Sequence, residues 1–374
     1  MAASRARRVL MTADTVGGVW SYAVELARAL DKRGVGVALA TMGALLTPEQ
    51  RRQIRDIPSL TLHESDWRLE WMQQSSDDVQ RAGEWLLEIE REEQPQLVHL
   101  NQFSFGALPF AAPTLLVAHS CVLSWWRAVH GEAAPPVWNS YRAKVAKGLA
   151  GAGRVAAPTG AMLRSLRENY GHGRAGLVLG NGRSSAQYRP AAKQPFILAA
   201  GRFWDGAKNL EALQAVAPGL AWPIHVAGST SQPDGGTVMP AGVECLGELA
   251  PEALAARMAS AAIYALPARY EPFGLSVLEA GLSGCALVLG DIPSLREVWG
   301  SAAVYVAAND HDALRRALSR LIERPAERTR LGAAARMRAL HFSPDRMADA
   351  YLAAYASLHP GFVAAEAKEL LCVS

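Results

Sequence analysis

Two glutamates, Glu271 and Glu279, have the type and spacing best suited to chemistry in this chain. They bracket the stretch EPFGLSVLE, and the apolar run Ala262–Ala268 precedes them. Gly274 falls where the next helix is predicted to begin, so N–H groups of its first turn can take phosphate oxygens. We expect Glu271 to accept sugar hydroxyls and Glu279, one to two turns into the helix, to accept a ribose diol. Two solvated glutamates on a helix are the alternative.

Two cations follow the first strand predicted in the second half of the chain. Arg202 ends that strand and Lys208 opens the next helix. Both are therefore expected at the carboxyl edge of a parallel sheet, where open α/β folds bind ligands. Two positive charges there suit a diphosphate, because they neutralise charge on a departing group. The alternative is a surface arginine and a helix-flanking lysine, which is the commoner situation for such residues taken alone.

Two further candidates lie in the first half. Gly17 and Gly18 stand between the first strand and the first helix, where backbone N–H groups can approach phosphate or sugar oxygens. Their spacing is not G-x-G-x-x-G, so a dinucleotide site is not supported, and a tight turn is the alternative. His119 follows the apolar run Thr114–Ala118 and can bind a substrate hydroxyl from the strand end. A hydrogen-bonded structural histidine is equally compatible with that position.

The elements that must position these residues are alternating strands and helices. Apolar runs give seven strand candidates in the first half, from Arg8–Ala13 to Gly176–Asn181. The second half gives six, from Phe196–Arg202 to Ala302–Ala308. Several runs are continuous, as in strands buried on both faces of a parallel sheet. The pattern predicts an α/β protein with two Rossmann-like, doubly wound domains facing a central cleft.

The polar segment Arg183–Pro195 is interpreted as the linker between the two domains. We therefore predict an N-terminal domain over 1–187 and a C-terminal domain over 188–358, which ends with a helix from Pro344. Residues 359–374 are a tail for which packing back on the N-terminal domain is one interpretation.

Composition excludes several classes of function. A net charge of +3 is too weak to indicate nucleic-acid binding. The four cysteines include no C-x-x-C pair, which disfavours disulfides or zinc and fits a reducing compartment. No apolar stretch is long enough to span a bilayer or to form a secretory signal. We therefore expect a cytoplasmic protein, with attachment to a membrane surface as a less favoured alternative.

Two segments resemble functional motifs but have simpler explanations. Asp310-His311-Asp312 matches a metal-binding D-x-D, yet it follows a predicted strand and opens a helix, so an N-cap is favoured and no metal site is predicted. Trp138–Leu149 combines an apolar face with nearby basic residues. An ordinary helix with a solvated basic face is favoured there over a membrane-surface helix.

Four tryptophans are many for one domain: Trp67, Trp71, Trp125 and Trp126. The last two follow His119 closely, on a loop expected to border the acceptor cleft. Stacking on a sugar or aromatic acceptor is one interpretation, and packing in the core or loop is the other.

Together these motifs resemble glycosyltransferase family 4, whose members are retaining enzymes of the GT-B fold. The resemblance covers nearly the whole chain and is most specific in the glutamate motif with its Gly274-Leu275 pair. It implies a hexosyltransferase that moves a sugar from a nucleoside-diphosphate sugar, such as a UDP-sugar, to a hydroxyl of a glycan, lipid-linked or small-molecule acceptor. It implies neither a cofactor nor a metal ion.

The resemblance also implies residue roles. Arg202 and Lys208 would hold the donor diphosphate and stabilise the leaving nucleotide. Glu271 and His119 would contact the transferred sugar, and Glu279 the ribose. The remaining donor contacts it implies are made by Gly17 and Gly18, by Gly247 and Leu249 near the base, and by the backbone of Phe273, Gly274 and Leu275.

Three positions depart from the family pattern. Asp14-Thr15-Val16 replaces a turn that often contains proline, Arg183 follows Asn181-Gly182 where valine is usual, and Cys285-Ala286 replaces a Gly/Thr-Pro type of pair. These departures indicate a subfamily and leave the acceptor open, together with the sugar, the base and the oligomeric state. A GT-B-fold sugar epimerase or phosphorylase, and a non-catalytic nucleotide-sugar-binding module, are the alternative functions.

Overall fold

The structure is a computed structural model that describes residues 7–231, 236 and 240–362. The strands are β1 (Arg7–Asp14), β2 (Val35–Met42), β3 (Leu60–Glu64), β4 (Leu97–Leu100), β5 (Thr114–Val117), β6 (Arg154–Ala157), β7 (Leu177–Val178), β8 (Gln194–Ala200), β9 (Ile224–Ala227), β10 (Glu244–Gly247), β11 (Ala261–Leu266), β12 (Ala286–Gly290) and β13 (Val304–Val306). Each strand predicted from the sequence is present, with ends shifted by a few residues.

Helices connect most of these strands. They are α1 (Gly18–Asp31), α2 (Pro48–Ile54), α3 (Ser76–Glu93), α4 (Val122–His130), α5 (Asn139–Gly151), α6 (Gly160–Tyr170), α7 (Leu210–Val216), α8 (Pro251–Ser260), α9 (Leu275–Leu282), α10 (Pro293–Trp299), α11 (His311–Glu323), α12 (Pro325–Ala339) and α13 (Pro344–Ala356).

The chain divides into two compact units. The first unit comprises the described residues within Met1–Leu123, Ala134–Gly182 and Pro344–Ser374, and the second comprises those within Ser124–Ala133 and Arg183–Ser343. The described residues of each unit surround one parallel sheet.

The first unit contains a seven-stranded sheet in the order β3-β2-β1-β4-β5-β6-β7. All of its strand pairs are parallel. Strand β1 lies inside this sheet, between β2 and β4, and its sequence is continuously apolar. Val9, Leu10 and Met11 have no exposed surface, because helices cover both faces of the sheet. The strand order reverses between β1 and β4, which is the topological switch point of this sheet.

The second unit contains a six-stranded parallel sheet in the order β10-β9-β8-β11-β12-β13. Within the unit this is the doubly wound order, with the switch point between β8 and β11. Side chains from β8, β11 and β12 fill cores on both faces of the sheet.

The structure differs from the predicted domain limits in three places. Ser124–Ala133, predicted within the N-terminal domain, belongs to the second unit. The division falls after Gly182, and α13 belongs to the first unit although the sequence analysis assigned it to the C-terminal domain. The buried side chains of Tyr351 and Tyr355 explain this placement, because they pack against Tyr22 and His99. Of the predicted tail, residues 363–374 lie outside the described residues.

Candidate functional site

An ion pair occupies the switch point of the second sheet. Lys208, which follows β8, places its Nζ 2.5 Å from Oε2 of Glu271, which follows β11. The two side chains retain 15% and 13% of their surface, so water or a ligand can still reach them. The predicted diphosphate-binding cation and the predicted sugar-binding carboxylate are therefore adjacent, at the place where a doubly wound sheet binds ligands.

The turn that carries Lys208 is held by its neighbours Asp205 and Asn209. Asp205 Oδ1 accepts a hydrogen bond from the N–H of Ala207 at 2.9 Å, which caps the 3-10 turn Gly206–Lys208. Asn209 has a φ of +58°, a conformation that asparagine tolerates better than most residues. Its buried Nδ2 donates to the carbonyls of Pro267 and Ala308, both at 2.8 Å. Asn209 thereby ties the turn to the ends of β11 and β13, a role that sequence reasoning missed.

The start of α9 lies beside the same pair. Gly274, with φ +89°, is the N-cap of α9, and an added Cβ would lie 3.0 Å from Cγ2 of Val277. A larger residue is disfavoured by both the backbone and the space. Buried Tyr264 Oη donates to the carbonyl of Ala200 at 3.0 Å and lies 2.8 Å from Ser276 Oγ. Tyr264 thus joins the end of β8 to the first turn of α9, and sequence reasoning missed it as well.

Glu279 is buried and paired, rather than solvated. Its Oε1 accepts a hydrogen bond from Nε of Arg183 at 2.8 Å, with 10% of the glutamate side chain and 15% of the arginine side chain exposed. Arg183 Nη2 also donates to Tyr188 Oη at 3.0 Å. Burial, followed by the Glu279 carboxylate, raises the pKa of Tyr188. Arg183 was assigned from the sequence to the polar linker and noted as a departure from the family pattern. The structure places it in direct contact with Glu279, the glutamate predicted to bind the ribose.

The other predicted donor residues lie close to strand ends of the second sheet. The Arg202 guanidinium lies 5.4 Å from the centre of the Trp204 ring. Gly247, with φ +64°, ends β10, and its carbonyl accepts the N–H of Gly228 at 2.7 Å. Leu249 is partly buried against the core. Phe273 is 3% exposed and packs in the core, so its ring is not available to a ligand.

In the first unit, His119 is held by Asn101, which follows β4. Asn101 Nδ2 donates to the Thr12 carbonyl at 2.5 Å, so Asn101 Oδ1 is the atom that meets His119 Nε2 at 2.8 Å. His119 must therefore carry its proton on Nε2, and Nδ1 is the acceptor nitrogen of the ring. Burial lowers the pKa of His119 to about 3. A neutral imidazole can accept a hydrogen bond from a hydroxyl at neutral pH.

A buried aromatic cluster lies behind His119. The Tyr22 ring is 4.4 Å from the His119 ring, and Tyr22 Oη is 3.2 Å from Nε2 of His99. Nδ1 of His99 is 2.6 Å from Tyr355 Oη. Burial, followed by electrostatic coupling to His119, lowers the pKa of His99 to about 3. His99 is therefore a neutral histidine with a structural role.

Glycine is required at the start of α1. Gly17 is its N-cap and has φ +133°, a conformation that other residues rarely adopt. Gly17 and Gly18 are both exposed, so the backbone at this helix end is accessible.

The four tryptophans predicted for the acceptor do not form one group. Trp67 packs edge-on against Trp85, with ring centres 5.0 Å apart, and Trp71 packs on the same core. Trp125 and Trp126 lie in the part of α4 that belongs to the second unit. The structure thus separates the two pairs, and the contacts of Trp67 are those of core packing.

The D-x-D segment Asp310-His311-Asp312 and the helix-like segment Trp138–Leu149 both have structural roles in the described residues. Asp310 is the N-cap of α11, since its Oδ1 accepts the N–H of Ala313 at 2.7 Å. Tyr141, Val145 and Leu149 of α5 are buried in the first core. No cluster of three or more His, Cys, Asp or Glu side chains in the described chain is arranged for a metal ion. None of the described helices is long and apolar enough to cross a membrane.

Comparison with known proteins agrees with this geometry. Residues 16–182 match the family Glycosyltransferase Family 4, and residues 183–338 match Glycosyl transferases group 1. The boundary between the two matches is the boundary between the two units in this part of the chain. A stretch of 111 residues is 39% identical to the MMP alpha-(1->4)-mannosyltransferase of Mycolicibacterium hassiacum, and it covers 29% of this chain and 27% of that relative's length.

Solved structures resemble the chain over nearly its whole length. A sucrose-phosphate synthase from Thermosynechococcus elongatus superposes with a TM-score of 0.77 at 19% identity, covering 94% of this chain and 99% of the other. The Anabaena protein HepE, in complex with UDP-glucose, superposes with a TM-score of 0.70 at 14% identity, covering 94% and 100%. These likenesses show the GT-B fold. With both domain families matched in their order along the chain, the protein belongs to the family 4 glycosyltransferases and is a glycosyltransferase of the GT-B fold.

Proposed function

We propose that this protein is a retaining hexosyltransferase that uses a nucleoside-diphosphate sugar, with UDP as the nucleotide, and a hydroxyl acceptor. The second unit holds the donor and the first unit selects the acceptor. The observation that carries the proposal is the Lys208–Glu271 pair at the switch point of the second sheet, beside the N-terminus of α9. The UDP and UDP-glucose complexes of the HepE structure support the choice of nucleotide.

The proposed reaction breaks the bond between the anomeric carbon and the diphosphate oxygen. The acceptor oxygen forms its bond to the same face of that carbon, and the acceptor proton passes to the departing phosphate. Negative charge grows on the leaving diphosphate, so Lys208, Arg202 and the N–H groups at the start of α9 act most strongly in the transition state. Lys208 must turn from Glu271 towards the phosphate, which leaves the Glu271 carboxylate to accept sugar hydroxyls.

Glu279 is proposed to hold the ribose while its other contact, with Arg183, is maintained. A carboxylate has lone pairs for about four hydrogen bonds, so one ion pair does not exhaust it. In the first unit, Nδ1 of neutral His119 is proposed to accept a hydrogen bond from a hydroxyl of the transferred sugar.

The first experiment is a calorimetric titration of the full chain with UDP, GDP, ADP, UDP-glucose and GDP-mannose. We expect UDP and one UDP-sugar to bind at least tenfold more tightly than the other nucleotides. Lys208→Met together with Arg202→Met should depress turnover more than donor affinity, because the charge that they neutralise grows in the transition state. Arg320→Met is the matched control, since Arg320 lies on α11 and pairs with Glu327 on the surface.

The outcomes separate the parts of the proposal. Absence of binding to every nucleotide would refute the donor site, and tighter binding of GDP would refute the choice of UDP. The anomeric configuration of the first product, followed by proton NMR, tests retention. An inverted product would overturn the same-face reaction while leaving the donor site intact.

A further inference from the structure

One side chain of helix α4, Trp125, contacts the turn between Arg202 and Lys208 in the second unit. Trp125 Nε1 donates a hydrogen bond to Oδ1 of Asp205 at 2.7 Å. Both residues belong to the second unit, because Ser124–Ala133 groups with it although the flanking segments do not. The tryptophan predicted to face an acceptor thus uses its polar atom on the segment between Arg202 and Lys208.

Asp205 is the residue that organises this segment. The same Oδ1 that receives the indole N–H also accepts the N–H of Ala207 at 2.9 Å. The backbone N–H of Asp205 bonds to the carbonyl of Arg202 at 3.1 Å, and its carbonyl accepts the N–H of Lys208 at 2.9 Å. Both cations of the proposed diphosphate site are therefore connected through Asp205.

A second contact fixes the same helix to the same turn. A Cβ added to Gly206 would lie 3.2 Å from Cγ1 of Val129, so the backbone of the turn lies directly against α4. A hydrogen bond at one point and close packing at another restrict both the position and the orientation of the turn. The indole N–H has a partner in this arrangement, as buried or half-buried tryptophans usually require.

We propose that Trp125 is a positioning residue that acts through Asp205 on Lys208 and Arg202, and does not stack on an acceptor. The inference rests on the proposed function, because it concerns the efficiency with which those two cations meet the departing diphosphate. Misplacement of a reacting group by about 1 Å can cost about a hundredfold in rate, so a small relaxation of this turn is measurable.

The test compares Trp125→Phe, Asp205→Ala and the double variant in the full chain. Phenylalanine keeps an aromatic ring but lacks the N–H. Trp222→Phe is the matched control, because Trp222 precedes β9 at the opposite end of the sheet and packs on Arg328. Hydrogen exchange of the 205–209 amides is measured without ligand, and kcat and KM are measured with UDP-glucose, or with the UDP-sugar that the titration selects.

We expect faster exchange of Ala207 and Lys208 in Trp125→Phe, unchanged exchange in Trp222→Phe, and a fall in kcat of about tenfold with a donor KM changed less than threefold. The kcat of the double variant should be no lower than that of Asp205→Ala alone, because both substitutions remove the same Trp125–Asp205 hydrogen bond. A merely structural tryptophan would not produce this split between kcat and KM. Unchanged exchange in Trp125→Phe, full additivity, or a rise confined to the acceptor KM would overturn the inference. Altered exchange in a protein whose wild type binds no nucleotide would instead overturn the proposed function.

Discussion

The buried Arg183–Glu279 pair offers the sharpest test of the donor site. Removing one partner of a buried ion pair leaves the other charged and unpaired, which costs about 3–5 kcal/mol. Both side chains retain some exposure, and Arg183 keeps a bond to Tyr188, so we expect the lower end, about 3 kcal/mol, for Glu279→Gln and for Arg183→Met. The double variant should lose less than the sum, with a coupling of about 1–3 kcal/mol.

The assay must report on the second unit alone, because a chain with two units need not unfold in one step. Hydrogen exchange of peptides from β8 and β11 gives the free energy of opening for that unit. Calorimetry with UDP is measured on the same variants. Glu279→Gln should weaken UDP binding by about 1–3 kcal/mol if one charged hydrogen bond to the ribose is lost.

Arg183→Met separates the two roles of Glu279. It should destabilise the second unit about as much as Glu279→Gln but weaken UDP binding less, because the carboxylate is still present. Additive effects of the two substitutions on opening would refute the energetic coupling that the contact implies. Unchanged UDP affinity in Glu279→Gln would refute the assignment of Glu279 to the ribose.

Three further predictions follow from other parts of the structure. Activity should persist in excess EDTA, because Arg202, Lys208 and the N-terminus of α9 neutralise the negative charge of the diphosphate. A complete loss of activity that magnesium or manganese restores would contradict this prediction. His99 and His119 have folded pKa values of about 3, below the usual 6.5, so the unfolded chain binds protons first as the pH falls. Stability should therefore decline below pH 6.5, by about 1.4 kcal/mol per pH unit for each histidine. In His99→Gln, the free energy of unfolding by urea should fall less steeply between pH 6 and 4.5 than in the wild type, because one titrating histidine is lost. An unchanged slope of this free energy against pH would refute the role of His99. Gly274→Ala should reduce the affinity for UDP. The control Gly300→Ala, at a positive φ with open space around it, should leave that affinity unchanged. Equal UDP affinities of the two variants in calorimetry would refute a ligand site at the start of α9.

The sequence predicted the scaffold well because buried parallel strands leave a local signal. Continuous apolar runs such as Ala286–Asp291 identify strands without any knowledge of their neighbours. The Lys208 and Glu271 positions were predictable for the same reason, since each follows a strand end and strand ends of one parallel sheet meet at one edge. Gly274 carries a local signal too, because its backbone conformation favours glycine.

What the sequence could not predict are contacts between residues far apart in the chain. Arg183 was assigned to a polar linker, and nothing near it in sequence indicates that its guanidinium meets Glu279. Trp125 was assigned to an acceptor loop, because nothing near it in sequence indicates that Ser124–Ala133 groups with the second unit, where Trp125 meets Asp205. The polar groups of Tyr264 and Asn101 likewise satisfy partners supplied by other strands.

The return of α13 to the first unit has a consequence for synthesis. Tyr351 and Tyr355 complete the cluster around His99 and Tyr22, yet the whole second unit is translated before them. At about 5–20 residues per second, that interval lasts roughly 8–30 s. During this time the nascent first unit presents an unfilled aromatic surface, so the first unit reaches its native core only when α13 has left the ribosome.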